Sequence, residues 1–511
     1  GDHRDLHVRS RRQRQMCIRD SSNAEAYYNA QLQFFFIRKK REGDEISVNK
    51  LPPKAQKLFL DAKGSREKEW TSISAPDADG LPAIKVHRGK AAKELRARFP
   101  DRIVPSRWHE KWKDMGAEFD NGLKDPEVPK HLGAKSRWII QGFHDPDIAI
   151  LNRTVPTPAT ADVPIALQML SSLRASAWVG DVRSAFTQGI KGLRDQRLFA
   201  SPPAGGVPGE DDDILIELLT EVYGLISGPP AWRTSLITAM KELGFKRHPL
   251  APCVAIMYEV IGGKEDQYSG LIVIETDDLL GGGIGDRFFV AVAALRAKFK
   301  FGKWVELMQQ SCDYGGRSLR QYPTFAFTIS MVRYLKDRAR EIQMTRGRCK
   351  EPEADANENE VTAMRGITGK LNWVARQGMP HACGDASLLS ATMPKPKIKD
   401  IQEANAALKR LLQSEAVILI KPIPLERLRL LLFADASLGN ASGGSTQIAH
   451  MICAVDSSIY HGENADVSIL TYLSHRMQRS GSSTLLAESN AMSEGLADAE
   501  WVASWIGYVK D

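Results

Sequence analysis

The sequence predicts an α+β fold, and three stretches support this prediction. The run LIVIETDDLLGGGI (271–284) begins with aliphatic residues typical of a buried strand and continues through two acids and three glycines typical of a tight hairpin. Residues 361–416 have the pattern of helices. Residues 426–511 contain three strand-like segments and then a long helical segment from Ser483. The chain therefore combines strands and helices in more than one region.

The composition is that of a globular protein. The chain has 511 residues, 43% hydrophobic and 26% charged, which suggests two to four domains and excludes the disordered and fibrous classes. A net charge of +7 favours an anionic partner only weakly. Six cysteines without a C-x-x-C pair indicate neither a zinc ribbon nor a disulfide framework. No apolar stretch approaches the roughly 20 residues that span a bilayer, so we predict a soluble protein of the cytoplasm or nucleus, without a membrane partner.

The N-terminal region divides into two parts. Residues 1–22 are rich in arginine and predicted to be disordered. Their stretch RQRQMCIRDS resembles a translated sequencing adapter, which favours a non-biological origin over a basic arm that contacts nucleic acid. Residues 23–103 are predicted to be a helical and linker region, with a boundary near residue 80 where Pro, Gly and Asp accumulate.

Asp277 and Asp278 are the strongest candidates for a site. Two adjacent acids between apolar strands repel each other and lose hydration, so they are stable where a cation neutralises them. Hard divalent cations prefer such oxygen ligands. The alternative is a solvated turn, because Asp and Gly are common turn residues.

A further acid, Asp181, stands at the end of a strand-like segment in AWVGDVRSAFTQG (177–189). One acid at a strand end and a later pair at a hairpin match the carboxylates in the palm of a nucleotide polymerase. Three such carboxylates can hold two Mg²⁺ ions, one at the primer 3′-hydroxyl and one at the incoming triphosphate.

Eight blocks of the sequence carry a resemblance to a known family: KSRWIIQGF (135–143), DVRSAFTQG (181–189), VYGLISGPPAW (222–232), APCVAIM (251–257), VIETDDLLGG (273–282), MRGITGKLNWVARQ (364–377), FADAS (433–437) and TLLAESNAMSEGL (484–496). With these blocks the chain resembles the Pol polyprotein of copia-type LTR retrotransposons, in its reverse transcriptase and RNase H modules. The resemblance implies a right-hand polymerase fold with fingers, palm and thumb, followed by an RNase H-like α/β domain. It places fingers and palm in 104–345, thumb-like or connection helices in 346–425 and the RNase H-like domain in 426–511.

The resemblance also implies roles for individual residues. It makes Asp181, Asp277 and Asp278 catalytic ligands of two Mg²⁺ ions, with Mn²⁺ as a substitute, and adds the backbone carbonyl of Val182. The substrates implied are an RNA template, a DNA primer and deoxynucleoside triphosphates.

Three residues are implied to bind the nucleotide. Lys135 and Arg137 would contact the triphosphate, and Phe186 would exclude a ribose 2′-hydroxyl. The alternatives are an ordinary edge strand for the first two and core packing for Phe186.

Two departures from the family pattern bear on activity. Ile226 and Ser227 replace a Lys-Gln pair that would be expected to contact the nucleotide or template. Glu275 and Thr276 stand where reverse transcriptases usually carry aromatic or apolar residues. Neither departure removes a predicted metal ligand.

The RNase H-like region matches the family at Asp435 and Glu488. The chain ends before the fourth strand that would carry the third acid, so we expect this module to be truncated and inactive. Two alternatives to an active polymerase stay open: a degenerate retroelement remnant that binds nucleic acid without catalysis, and a metal-dependent nuclease.

Overall fold

The computed structural model describes residues 45–76, 82–115, 118–123, 128, 130–189, 194–393, 395–441, 444–478 and 483–510. The predicted disordered arm, 1–22, lies outside these residues, as does part of the predicted helical region. Among the described residues, no helix combines the length and the apolar character that a membrane crossing requires.

Helices and strands both occur throughout the described chain, which confirms the α+β prediction. The helices are α1 (Pro53–Leu60), α2 (Ser65–Ser74), α3 (Gly89–Arg98), α4 (Asp162–Ser172), α5 (Gly228–Glu242), α6 (Asp286–Lys298), α7 (Val332–Arg338), α8 (Glu358–Gly378), α9 (Cys383–Thr392), α10 (Ile398–Gln413) and α11 (Thr484–Lys510). The strands are β1 (Ile84–Arg88), β2 (Ile103–Val104), β3 (Ser106–Asp114), β4 (Leu132–Ile140), β5 (Ser176–Val182), β6 (Leu198–Ala200), β7 (Ile214–Leu218), β8 (Lys246–Arg247), β9 (Val254–Ile261), β10 (Lys264–Glu275), β11 (Asp278–Gly283), β12 (Phe301–Glu306), β13 (Cys312–Tyr314), β14 (Arg317–Gln321), β15 (Phe327–Ser330), β16 (Ile418–Ile420), β17 (Leu428–Ala441), β18 (Ser445–Asp456) and β19 (Val467–Arg476).

The chain forms two compact units, each built from two stretches of sequence. The first unit comprises the described residues up to Arg153 and Phe186–Ala231. The second comprises Thr154–Ala185 and the described residues from Trp232 onwards. The predicted division into fingers and palm, thumb and RNase H-like parts remains a prediction.

In the first unit, one sheet has the strand order β1-β7-β6-β2, and β3 pairs with β4 as a separate antiparallel hairpin. One face of this hairpin is buried and packs on α2, where Trp70 and Trp138 meet edge to face at 5.6 Å. The alternation of strand residues directs polar side chains to the opposite face.

The second unit is built around a six-stranded antiparallel sheet with the order β12-β5-β11-β10-β9-β8. Helix α4 is buried over nearly its whole surface, as expected of a helix with apolar residues all round. It belongs to a core that includes this sheet and the end of α11, where the Trp505 indole donates to the buried Asp162 carboxylate. Two further sheets, β13-β14-β15-β16 and β17-β18-β19, belong to this unit.

The predicted hairpin is present, but its glycines lie in a strand rather than in the turn. Gly281 and Gly283 belong to β11 and pair with β10 and β5. A Cβ at Gly281 would lie 2.6 Å from the Trp178 ring, and one at Gly283 would lie 2.5 Å from the Phe288 ring. Glycine is needed here because large neighbouring rings press on the strand, not because the backbone turns.

Candidate active site

The turn between β10 and β11 consists of Thr276 and Asp277. Thr276 has a φ of 58°, a left-handed conformation that is costly for a β-branched residue. Two hydrogen bonds stabilise it: the Trp232 indole N–H donates to the Thr276 carbonyl at 2.7 Å, and the Val182 N–H donates to the Asp277 carbonyl at 2.8 Å. Because Trp232 is fully buried, core packing fixes the position of the turn.

A row of charged residues crosses four neighbouring strands next to this turn. Asp278 pairs with Glu275 across the hairpin and with Asp181 on β5. Asp181 in turn pairs with Lys303 on β12. Directly opposed residues of antiparallel strands project to the same face. The sheet register therefore brings Asp181 and Asp278 side by side, with Asp277 next to them in the turn.

Repulsion among these carboxylates is visible in the ionisation of Asp278. Its pKa is raised from 3.8 to about 7, first because the side chain is largely buried, and then because Asp277, Asp181 and Glu275 are negative. Lys303 acts in the opposite direction. Burial also raises the pKa of Glu275, and Asp277 adds to that effect. In the sequence, Glu275 stood out as a departure from the family pattern, and no local pattern pointed to Lys303.

The residues fit a divalent cation chemically. Their donors are carboxylate oxygens, which Mg²⁺ and Mn²⁺ prefer, and the raised pKa of Asp278 shows that positive charge would be favourable there. Asp181, Asp277 and Asp278 would hold the ion, and the carbonyl of the buried Val182 would be the predicted backbone ligand. With the side chains as they stand, the described residues contain no group of three His, Cys, Asp or Glu arranged as metal ligands.

The raised pKa of Asp278 predicts that the metal-free protein loses stability with rising pH. A carboxyl whose pKa is about 7 when folded and near 3.8 when unfolded keeps its proton longer in the folded state. Stability should fall as the pH rises from about 4 to about 7 and then level off. Thermal melts in chelator should show that Asp278→Asn flattens this slope and raises the melting temperature at pH 8.

Magnesium provides the internal comparison for that experiment. At pH 8, Mg²⁺ should raise the melting temperature of the wild-type protein, because an ion that binds only the folded state stabilises it. It should raise that of Asp278→Asn much less. Parallel pH slopes for the two proteins would contradict the assignment.

In the first unit, two of the three predicted nucleotide-binding residues gather around Tyr223. The Arg137 guanidinium lies over the Tyr223 ring, 4.8 Å from its centroid. The Phe186 ring lies 5.2 Å from that of Tyr223. Lys135 stands two residues before Arg137, on the same face of β4. Tyr223 lies in the matching block VYGLISGPPAW. Its contacts with Arg137 and Phe186 depend on packing that the sequence does not reveal.

Tyr223 is held by an unusually close approach of two backbones. Its carbonyl accepts a hydrogen bond from the Ile140 N–H at 2.8 Å. The next residue, Gly224, has a φ of 99°, and a Cβ there would lie 2.0 Å from the Ile140 carbonyl oxygen. Only glycine can occupy this position, which explains the residue that follows Tyr223 in the block.

Ser227, at the second of the departing positions, faces the interior of its own unit. It is 5% exposed. Its hydroxyl donates to the Glu221 carboxylate at 2.5 Å and accepts from Arg194 at 3.0 Å. The hydroxyl is thus engaged in an internal network, whereas the family's polar pair would be expected to contact nucleotide or template.

Asp435 does not face the helix that carries Glu488. Helix α11, which carries Glu488, covers the face of the β17-β18-β19 sheet that bears Leu432. The approach is close: a Cβ at Gly495 of this helix would lie 2.8 Å from the Leu432 side chain. Alternation along β17 places Asp435 on the other face. There it lines a cavity of about 470 Å³ together with Tyr472.

Comparison with known proteins gives a distant relative. No family model matches the chain. A foamy viral protease-reverse transcriptase in complex with double-stranded DNA matches with a TM-score of 0.43 at 13% identity, covering 74% of this chain and 55% of that one. A foamy viral protease-reverse transcriptase in complex with an RNA/DNA hybrid matches with a TM-score of 0.40 at 11% identity, covering 75% of this chain and 42% of that one.

In sequence, the chain is 23% identical over 280 residues to the putative transposon Ty5-1 protein of Saccharomyces cerevisiae, covering 51% of this chain and 83% of that protein. This similarity confirms, as distant homology, the relationship to retrotransposon proteins that the motifs predict. The chain is a distant homologue of a Ty5 transposon protein, and Ty5 is a copia-type element.

Proposed function

We propose that the chain is the RNA-directed DNA polymerase of a copia-type retrotransposon. The observation that carries this proposal is the register of β5 and β11, which sets Asp181 opposite Asp278 beside the Asp277 turn. Two-metal polymerase chemistry uses three neighbouring carboxylates, and Asp181, Asp277 and Asp278 would provide them. The homology to a transposon protein supports the same assignment.

The three carboxylates would act as a fixed set of negative oxygens. Bound Mg²⁺ would lower the pKa of the primer 3′-hydroxyl and neutralise the triphosphate. The chain's own contribution is orientation: the Trp232 and Val182 hydrogen bonds hold the turn, so that Asp277 and Asp278 need not be ordered at the moment of reaction.

Lys135, Arg137 and Phe186 would bind the nucleotide. Lysine and arginine donate charge-assisted hydrogen bonds to phosphate oxygens. Stacking of Arg137 on Tyr223 restricts the guanidinium, which reduces the conformational entropy lost on binding. Phe186, supported by the same tyrosine, would meet the sugar.

The proposal also assigns a function to each part of the chain. Residues 104–345 would carry the polymerase, 346–425 the thumb-like helices and 426–511 an inactive RNase H-like part, acting inside the cell on an RNA template, a DNA primer and deoxynucleoside triphosphates. The orientation of Asp435 away from the helix that carries Glu488 supports the inactivity and disfavours a nuclease. A remnant that binds nucleic acid without catalysis is the second candidate, favoured by the buried Ser227.

A primer-extension assay decides between the two candidates. The purified protein would be given a homopolymer RNA template, a labelled DNA primer and the matching triphosphate, with Mg²⁺ and Mn²⁺ compared. We expect extension that stops when the metal is chelated. Binding of the primer and template without extension in either metal would support the remnant instead.

Phe186→Ala is expected to weaken sugar discrimination. Removing the ring should open space for a 2′-hydroxyl and raise ribonucleotide use relative to deoxynucleotide use on the order of a hundredfold, the discrimination that an apolar pocket achieves against an added hydroxyl. Primer and template should bind as before. The measurement is the ratio of kcat/KM for the two nucleotides.

Phe143→Ala serves as the matched control, because Phe143 is an aromatic residue of the same unit with 60% exposure. It should leave the ratio unchanged. If Phe186→Ala folds and discriminates like the wild type, Phe186 has only a packing role against Tyr223.

A further inference from the structure

The outward face of the β3-β4 hairpin carries four cationic side chains, which we call the cationic face: Lys111, Lys113, Lys135 and Arg137. Lys111 pairs directly with Lys135, so both project to one side. Lys113 and Arg137 lie two residues further along their strands on that same side. The opposite side of the hairpin is the buried one that packs on α2.

These four side chains have no ion-pair partner within the described residues. No carboxylate there forms an ion pair with any of the four, whereas the neighbouring Arg107 and His109 both pair with Glu45. Burial lowers the pKa of Lys135, and Arg137, Lys113 and Lys111 lower it further, against a smaller opposing effect of Glu69. Mutual repulsion of this kind is relieved when an anion binds.

The cationic face is longer than one nucleotide's phosphates. Lys113 pairs with Gly133, and Arg137 pairs with His109, four residues away along β3. At about 3.4 Å a residue, the two cations are separated by roughly 14 Å along the strands. A triphosphate, whose phosphorus atoms are joined through single oxygens, is shorter than this. A triphosphate at Lys135 and Arg137 therefore leaves Lys111 and Lys113 for further phosphates, and a nucleic-acid strand carries one phosphate per nucleotide along its whole length.

We propose that Lys111 and Lys113 bind the phosphodiester backbone of a single nucleic-acid strand alongside the pair Lys135 and Arg137. Both lysines are exposed, so they can follow a strand without loss of internal contacts. The inference deepens the proposed function and rests on it for one point, that this strand is the template. Recognition is through phosphate, and the site should therefore take RNA and DNA strands of any sequence.

The test is equilibrium binding of fluorescent 20-nucleotide RNA and DNA strands to the full chain, without metal or nucleotide. Lys111→Ala with Lys113→Ala should weaken binding of both strands about tenfold at low salt. It should also reduce the slope of log K against log salt by about 1.4, since each phosphate contact to a single strand contributes about 0.7.

Lys90→Ala with Lys93→Ala is the matched control. These lysines lie on α3 of the same unit, are exposed and remove the same charge. They should change neither the affinity nor the slope. Equal losses in the two double variants would overturn the proposal, because they would reflect net charge alone.

A second arm separates a strand from a nucleotide. Binding of base-labelled dATP should be unchanged in the Lys111 and Lys113 double variant and weakened by Lys135→Ala. A defect confined to dATP would overturn the proposal. Both arms are independent of catalysis: an inactive enzyme whose strand binding depends on Lys111 and Lys113 would refute the proposed function and leave this inference standing.

Discussion

Asp277→Asn is expected to abolish primer extension, with a loss of at least about a thousandfold in rate. The amide keeps the shape of the carboxylate but removes the charge that attracts a divalent cation. Losing roughly 4 kcal/mol of transition-state stabilisation, a typical contribution of a metal ion, corresponds to that factor. The turn should persist, because its hydrogen bonds use the backbone carbonyls of Thr276 and Asp277.

Extension should be measured together with one reading that does not depend on catalysis. Asp277 is one of the charges that raise the pKa of Asp278, so the variant should show a lower pKa for Asp278 in the metal-free protein, measurable by carboxyl ¹³C NMR. Asp337→Asn makes the same charge change at an exposed position and should alter neither reading. Wild-type extension by Asp277→Asn would remove the polymerase assignment.

The acids of this site were predictable because each stands in a local pattern. Asp181 ends an apolar strand, and Asp277 and Asp278 interrupt one. What the sequence could not reveal is the row that surrounds them. Lys303 stands opposite Asp181 only because β12 pairs with β5 through a bulge between Phe301 and Lys303, and such a register depends on tertiary packing.

The glycines of β11 illustrate a different limit. Three consecutive glycines predicted a turn because glycine is common in turns. The turn falls instead on Thr276 and Asp277, and the glycines accommodate the Trp178 and Phe288 rings. A local pattern cannot distinguish a backbone that bends from one that a large side chain approaches.

In residues 426–511 the order of elements was predicted, and the placement of Asp435 and Glu488 was not. The three strands and the long helix occur as expected. Which face the helix covers is decided by its small residues Ala487, Ala491 and Gly495, which are buried. Since Leu432 lies beneath them, Asp435, three residues later on β17, faces away.

A buried network around Arg194 predicts the largest change in stability. Its guanidinium reaches the carboxylates of Asp145 at 2.8 Å, Asp147 at 3.0 Å and Glu221 at 3.2 Å. The Arg194 side chain is 11% exposed and that of Asp145 is fully buried. Arg102 also pairs with Asp147, so removing Arg194 would leave Asp145 and Glu221 as the uncompensated charges.

Arg194→Met is therefore expected to lower the free energy of unfolding of the first unit by about 3–5 kcal/mol, the usual cost of removing one partner from a buried ionic group. That is a large fraction of the roughly 5–15 kcal/mol that stabilises a domain. Urea unfolding, followed by tryptophan fluorescence, provides the measurement. Adding Asp145→Asn to Arg194→Met should restore part of the loss, because a neutral amide is less costly to bury than an unpaired carboxylate.

Arg88→Met tests whether burial, and not ion pairing as such, produces the effect. Arg88 pairs with Glu210, but its side chain is 64% exposed, and exposed pairs contribute about 0–1 kcal/mol. If both arginine variants lose similar stability, the internal network has no special role. A large loss only at Arg194 would show that the buried ionic network stabilises the first unit. The Ser227 hydroxyl belongs to this network, because it accepts a hydrogen bond from the Arg194 guanidinium. Ser227 would then contribute to the stability of its loop.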